Sequence, residues 1–206
     1  MENVFDTMVE ISQTTDVKKK SGAWKVFERE VANFFGTTRS PMSGMIKTIT
    51  NSDSLHTKLY IECKYRAIFS IISDYMERWN RVDKEARLAA KFRPQEEFVR
   101  KAVVYRLLNS KKYSGGQVYL FAPDEIGRVL GTISFKGGRL TINPKRVEIV
   151  EYKADSILSL YKETVERAEK EKKVPLVCVK MKNKRGWLIG ISPMYIEHLR
   201  EYGKHQ

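Results

Sequence analysis

The sequence predicts a mixed α/β fold in which a central mixed β-sheet is flanked by helices and carries an inserted α+β subdomain. Three observations predict it. Leu59, Ile61, Cys63 and Tyr65 alternate with Tyr60, Glu62, Lys64 and Arg66, the two-residue period of a strand whose side chains go to opposite faces. Trp24, Phe27, Val31, Phe34 and Phe35 recur at three- and four-residue spacing, which makes an apolar helical stripe able to pack on a sheet. Near the other end a helical pattern over 156–172 runs into the apolar stretch Pro175–Val179, a return from helix to strand within one core.

Taken in order, residues 1–20 show no strong pattern and end in Lys18-Lys19-Lys20, a loosely ordered, basic-ended arm. Ser21 suits a helix N-cap and Gly36 a stop. Thr37–Ser40 and Met45–Thr50 read as short strands, broken by Pro41 and Gly44. The short polar residues Thr50-Asn51-Ser52-Asp53-Ser54 suit a turn; if it leads into a hairpin with 58–66 as second strand, Asp53 comes beside Glu62. Ile68, Ile71, Ile72, Tyr75, Met76 and Trp79 form a second helical stripe.

Residues 80–153 read as the inserted subdomain between core segments 21–79 and 154–206. Arg81–Phe92 and Pro94–Leu108 are expected as helices, the second with Pro94 in its first turn. Val118–Phe121, Val129–Phe135, Leu140–Ile142 and Val147–Tyr152 are expected as strands, with Lys136-Gly137-Gly138-Arg139 a hairpin turn. Asp155 caps the helix 156–172, whose Ile157, Leu160, Tyr161, Thr164 and Val165 face inward. Pro175–Val179 and Trp187–Ile191 pair across Asn183-Lys184-Arg185-Gly186, and Pro193 begins a terminal helix through about Tyr202.

Composition narrows the function. With 38 basic and 25 acidic residues among 206, the formal charge is +13, which suggests a polyanionic partner. There is no run of eighteen apolar residues and no signal-peptide core, so a cytoplasmic protein without a membrane partner is expected. Cys63 and Cys178 lie in apolar strand patterns and read as buried free thiols. His56, His198 and His205 are too scattered for a histidine-based catalytic set, and the chain has no P-loop or Cys/His zinc pattern.

The candidate chemistry sits on the 58–66 strand. Glu62 and Lys64 point the same way, and Asp53 lies nine positions before Glu62. One or two carboxylates with waters and phosphate oxygens suit Mg²⁺, and a neighbouring lysine can neutralise charge or position a water. A solvated strand face with a weak ion pair is the alternative reading of Glu62 and Lys64. Arg39 leaves the first short strand near this face, where a guanidinium can clamp a phosphate. Across 77–113, eleven basic residues, Lys91, Arg93, Arg100 and Lys101 among them, face five acidic ones, a basic flank suited to nucleic acid.

These residues carry a family resemblance. Asp53 followed by Glu62-Cys63-Lys64 resembles the PD-(D/E)xK nuclease signature, and Glu62-Cys63-Lys64-Tyr65-Arg66 is similar to its archaeal and viral Holliday-junction resolvase-like branch. Gly22–Glu30, with Glu28-Arg29-Glu30, and Gly36–Gly44, with Arg39-Ser40, match that branch's opening, over residues 21–73 and more weakly 154–192; Ser52 stands where the signature has proline. The resemblance implies a restriction-endonuclease-like core and a Mg²⁺-dependent DNA endonuclease, with Mn²⁺ able to substitute, acting on branched or duplex DNA as a homodimer. It implies Asp53, Glu62 and the backbone carbonyl of Cys63 as metal ligands with Glu28 beside them, Lys64 as the residue that orients water, and Arg39, Ser40, Ser43 and Arg66 as DNA contacts. A restriction, homing or repair nuclease, and a non-catalytic nucleic-acid-binding protein on the same core, stay open alternatives.

Overall fold

The computed structural model describes residues 22–41, 50–67, 70–92, 100–108 and 117–203. The expected arm 1–20, most of the Met45–Thr50 strand, Ser43 and Arg93 lie outside them. The elements are α1 (Ala23–Phe34), β1 (Leu59–Arg66), α2 (Ser70–Phe92), β2 (Ala102–Leu108), β3 (Val118–Phe121), α3 (Ile126–Leu130), β4 (Ile133–Lys136), β5 (Arg139–Ile142), β6 (Val147–Lys153), α4 (Asp155–Lys170), β7 (Val174–Met181) and β8 (Leu188–Ile191). A 3₁₀ segment, Pro193–Gly203, follows β8.

The fold is a mixed α/β one. Among the described residues a six-stranded sheet runs in the order β1-β7-β8-β3-β2-β6, and β4 pairs with β5 apart from it. β1 is parallel to β7 and β2 to β6, while β7–β8, β8–β3 and β3–β2 are antiparallel. The segment 80–153, expected as an inserted subdomain, contributes β2, β3 and β6 to the same hydrogen-bonded sheet as β1 and β7. The β4–β5 hairpin is the part of that segment with its own pairing.

Both faces of the sheet are buried. One core joins α1 through Phe27 and Val31 to Leu59, Ile61, Val104, Leu176, Ile189 and the closing Ile196 and Leu199. The opposite core joins α2 through Ile71, Ile72 and Tyr75 and α4 through Ile157 and Tyr161 to Val103, Tyr105, Val177 and Leu188. Coverage on two sides explains two departures from expectation. The Tyr60–Glu62 face of β1 lies under α4 rather than in solvent, with Tyr60 fully buried. The Ala102–Leu108 run forms a strand instead of the end of a helix, because a nearly continuous apolar stretch rich in valine and tyrosine suits a strand buried on both faces.

Local signals set the remaining boundaries. With no Gly or Pro between Ser70 and Phe92, the two expected helices merge into one, α2. Gly36 adopts φ +67° just beyond α1, and the Thr37 N–H closes on the Ala32 carbonyl at 2.9 Å, so the helix ends in a left-handed residue that glycine takes without strain. Val129-Leu130, expected as the start of the Val129–Phe135 strand, instead ends the short helix α3, and Gly131-Thr132 turns the chain into β4. Trp24, expected on the packed stripe of α1, is 44% exposed because it lies in the first turn, ahead of the sheet-facing Phe27. Among the described residues no helix is long and apolar enough to cross a membrane.

Candidate active site

β1 occupies one end of the sheet order, and the 50–55 segment lies along its outer edge. Ser52 begins the arrangement: its hydroxyl donates to the Ile61 carbonyl at 3.0 Å and accepts the Ile61 N–H at 2.9 Å. The Asp53 N–H then donates to the same Ile61 carbonyl at 2.9 Å, and Asp53 Oδ2 accepts the Cys63 N–H at 2.7 Å. The Ser40 N–H holds the Asp53 carbonyl at 3.0 Å, beside the antiparallel bridge between Arg39 and Ser54. Four bonds thus fix the Ser52-Asp53 segment against β1, and the Ser40 bond holds it from the other side. Residues 61 and 63 present their backbone groups to this edge while 58 and 66 face β7 and the turn after it, so the Cys63 carbonyl opens on the side where Asp53 lies.

Glu62 and Lys64 share the face of β1 under α4. Lys64 Nζ donates to Glu62 Oε1 at 3.2 Å, and Arg167 Nη1 from α4 meets Glu62 Oε2 at 3.5 Å. Glu28, buried on α1, is hydrogen-bonded and ion-paired through Oε2 to Arg39 Nε. That pairing also stations Arg39, whose guanidinium lies 5.3 Å from the Trp24 ring centroid. On the same side an open cleft of about 430 Å³ is lined by Lys25, Arg29, Asn33, Thr38 and Arg39.

The electrostatics of the cluster are those of carboxylates crowded together. Burial, then the Glu62 charge, raises the Asp53 carboxyl from 3.8 to about 7 despite the Cys63 N–H; Glu28 adds to the rise and Lys64 opposes it. Burial also raises Glu28, against the pull of its Arg39 hydrogen bond, and the Glu62 charge contributes. Asp53 and Glu28 therefore both sense the Glu62 charge, an arrangement that a cation relieves.

Among the described residues no three His, Cys, Asp or Glu side chains are gathered into a ready metal cage. The donor set nonetheless fits a hard divalent cation: the two carboxylates of Asp53 and Glu62 and the Cys63 carbonyl offer oxygen alone, and Mg²⁺ takes one or two carboxylates and keeps waters. The Cys63 thiol is no ligand here, since burial against Cys178 pushes its pKa well up and both cysteines are free thiols.

The remaining candidate contacts divide. Arg66 and Lys101 are exposed, and Lys91 is exposed in the last turn of α2. Ser40 is buried, and its backbone N–H holds the Asp53 carbonyl. Arg100 corrects the expectation of a DNA contact: its guanidinium is ion-paired to the fully buried Glu125 and stacked 4.7 Å from the Trp79 ring centroid, with its side chain 9% exposed. Reasoning from sequence missed Arg167, which meets Glu62 across 105 positions and carries no local signal. It also missed the cleft, although Lys25, Arg29 and Asn33 are spaced four apart on α1 and so share a helix face.

Comparison of the chain with protein-family models, with curated proteins and with solved structures gives no significant match.

Proposed function

We propose that the protein is a Mg²⁺-dependent DNA endonuclease that hydrolyses phosphodiester bonds, with branched DNA of the Holliday-junction type as its preferred substrate and a homodimer as its working form. The observation that carries the reading is the docking of Asp53 onto the Cys63 N–H at the edge of β1, beside Glu62 and Lys64, in a chain of formal charge +13. A crowded carboxylate set, Glu28 and Glu62 buried and Asp53 half-buried, has no evident purpose on a protein that merely holds polyanions, because it repels phosphate.

Asp53, Glu62 and the Cys63 carbonyl would hold the cation, with Glu28 completing the charge around it. When bound, Mg²⁺ would supply a water of lowered pKa and offset the charge that builds on the phosphate. The chain's own groups do the rest. Lys64, held by Glu62, orients the attacking water, and Arg167 fixes the second Glu62 oxygen. Arg39, held at Nε by Glu28, keeps its outer nitrogens for a phosphate. The cleft beside it, with Lys25 and Arg29, carries the strand away from the scissile bond, and Lys91 and Lys101 extend the basic surface. Mn²⁺ serves in place of Mg²⁺.

The preference for branched DNA and the dimer come from the family resemblance alone. Ile71, Tyr75 and Leu199 are buried within the chain, so a dimer uses surfaces other than the apolar sides of α2 and the terminal 3₁₀ segment. Incubating the protein with a four-way junction, a linear duplex, a flap and a single strand, each with Mg²⁺ and with chelator, tests the reading. Metal-dependent cleavage fastest on the junction is expected; no cleavage of any substrate with either metal overturns it.

A further inference from the structure

Arg100 is turned inward onto Glu125, so the exposed basic surface of the 80–153 segment lies elsewhere. Between Glu125 and Glu148 the chain has five basic residues, Arg128, Lys136, Arg139, Lys145 and Arg146, and no acidic one. Arg128 turns back to Glu125 at 3.4 Å. The other four side chains are exposed, and among the described residues none has a carboxylate within ion-pair distance.

These four cations sit on and beside the β4–β5 hairpin. Its base is anchored: Ile133 is fully buried, and Leu140 and Ile142 pack on the core that holds Ile196 and Leu199. Lys136 and Arg139 are partners in register at its end, joined by Gly137 at φ +55° and Gly138 at φ +76°, with open space where each Cβ would stand. Lys145 and Arg146 follow β5 in the turn that leads into β6. A rigidly based ribbon with a side-chain-free tip and a cation on each strand can bring its backbone close to a large polyanion.

We propose that the β4–β5 hairpin is a wing that docks on duplex DNA, with Lys136 and Arg139 on the phosphates either side of a groove and Lys145 and Arg146 on the adjoining backbone. A two-stranded ribbon has the width the major groove accepts, and phosphate contacts of this kind set affinity and register without reading sequence. The inference rests on the reading of the protein as one that acts on DNA. The wing is separate from the carboxylate cluster and supplies binding, not chemistry.

Fluorescence anisotropy with a labelled duplex, read in chelator across a salt series, tests it on the full chain without any cleavage. Two lost phosphate contacts reduce the log–log salt slope by about 2, so the loss of affinity between about 50 and 200 mM salt shrinks by roughly tenfold in Lys136→Ala/Arg139→Ala. Lys145→Ala/Arg146→Ala is expected to do the same, a second reading if the first variant does not fold. Lys184→Ala/Arg185→Ala removes the same charge from the β7–β8 turn and is expected to leave the slope as it was. Unchanged slope and affinity in both wing variants overturn the wing, as does an equal loss in the β7–β8 control, which makes the effect one of net charge. Vesicles with phosphatidylserine, bound by the wild type in place of DNA and released by the wing variants, overturn it in favour of a membrane contact. Cleavage by the wild type is scored separately: a wing that fails in a protein that still cuts with Mg²⁺ leaves the nuclease reading standing, and slope changes in a protein that never cuts leave the wing standing.

Discussion

Asp53→Asn converts the electrostatics of the carboxylate cluster into a stability measurement. In the folded protein the Asp53 carboxyl is raised from 3.8 to about 7, by burial first and then by Glu62 and Glu28, against the Cys63 N–H and Lys64. Between these values the folded chain holds a proton that the unfolded chain has released, so stability falls as pH rises through the window and the full penalty is present above pH 7. About three pKa units at about 1.4 kcal/mol each place that penalty on the order of 4 kcal/mol. An asparagine is neutral throughout and its Oδ1 can still accept the Cys63 N–H, so the variant escapes the penalty. Urea unfolding in chelator should find Asp53→Asn more stable than wild type by a few kcal/mol at pH 8, with the difference vanishing toward pH 4. Adding Mg²⁺ at pH 8 should stabilise the wild type, by about 2.7 kcal/mol at a hundred times the dissociation constant, and do little for the variant. A variant no more stable than wild type at pH 8, or a difference independent of pH, refutes the reasoning.

The remaining predictions concern the site's supports. Arg167→Ala, which frees Glu62 Oε2, should lower cleavage by about tenfold to a hundredfold, as loss of a group that orients a metal ligand does, and a Mg²⁺ titration of the cleavage rate reads it directly. Glu125→Gln removes the nearer of the two carboxylates paired with buried Arg100, leaving only Asp83 at 3.9 Å, and should cost about 3 kcal/mol in denaturant unfolding. His56 accepts the Lys58 and Leu59 N–H groups on Nδ1 at 3.0 and 2.9 Å and meets the Tyr202 hydroxyl through Nε2 at 2.7 Å, and burial lowers its pKa, with Lys173 and Lys58 adding to the fall and Glu201 opposing it. Its contribution is present above the unfolded value of about 6.5 and is lost as pH falls from there through the lower folded value; His56→Gln should flatten that part of the wild-type stability profile.

What the sequence makes legible follows from the range of the forces involved. Strand β1 and the inward side of α1 are written in local periodicity, since Ile61 and Phe27 must face a core wherever the sheet lies. Asp53 is placed by hydrogen bonds spanning nine or ten residues, Ser52 to Ile61 and Asp53 to Cys63, short enough for a turn and a strand to imply them. The Val103-Val104-Tyr105 run favours a strand intrinsically, but the charged stretch before it suggests a helix, and pairing with β6 more than forty residues on decides the matter. Arg100 looks like a surface charge because Glu125, its partner, is 25 residues away. Arg167 is hidden for the same reason at greater length. Trp24 misleads differently: it has the right spacing, but the helix extends one turn beyond the sheet it packs on.

Cleavage and DNA affinity measured on one preparation each of wild type, Glu62→Gln and Lys64→Ala test the central claim most directly. Glu62 lies between Lys64 and Arg167 on β1, so its amide keeps the shape of the site and removes one anionic ligand. Both variants should bind a four-way junction as tightly as wild type or more tightly, because Glu62→Gln removes repulsion with phosphate while Lys64 is one cation among many, and both should lose cleavage by at least about a hundredfold with Mg²⁺. Normal turnover by folded Glu62→Gln protein would contradict the account.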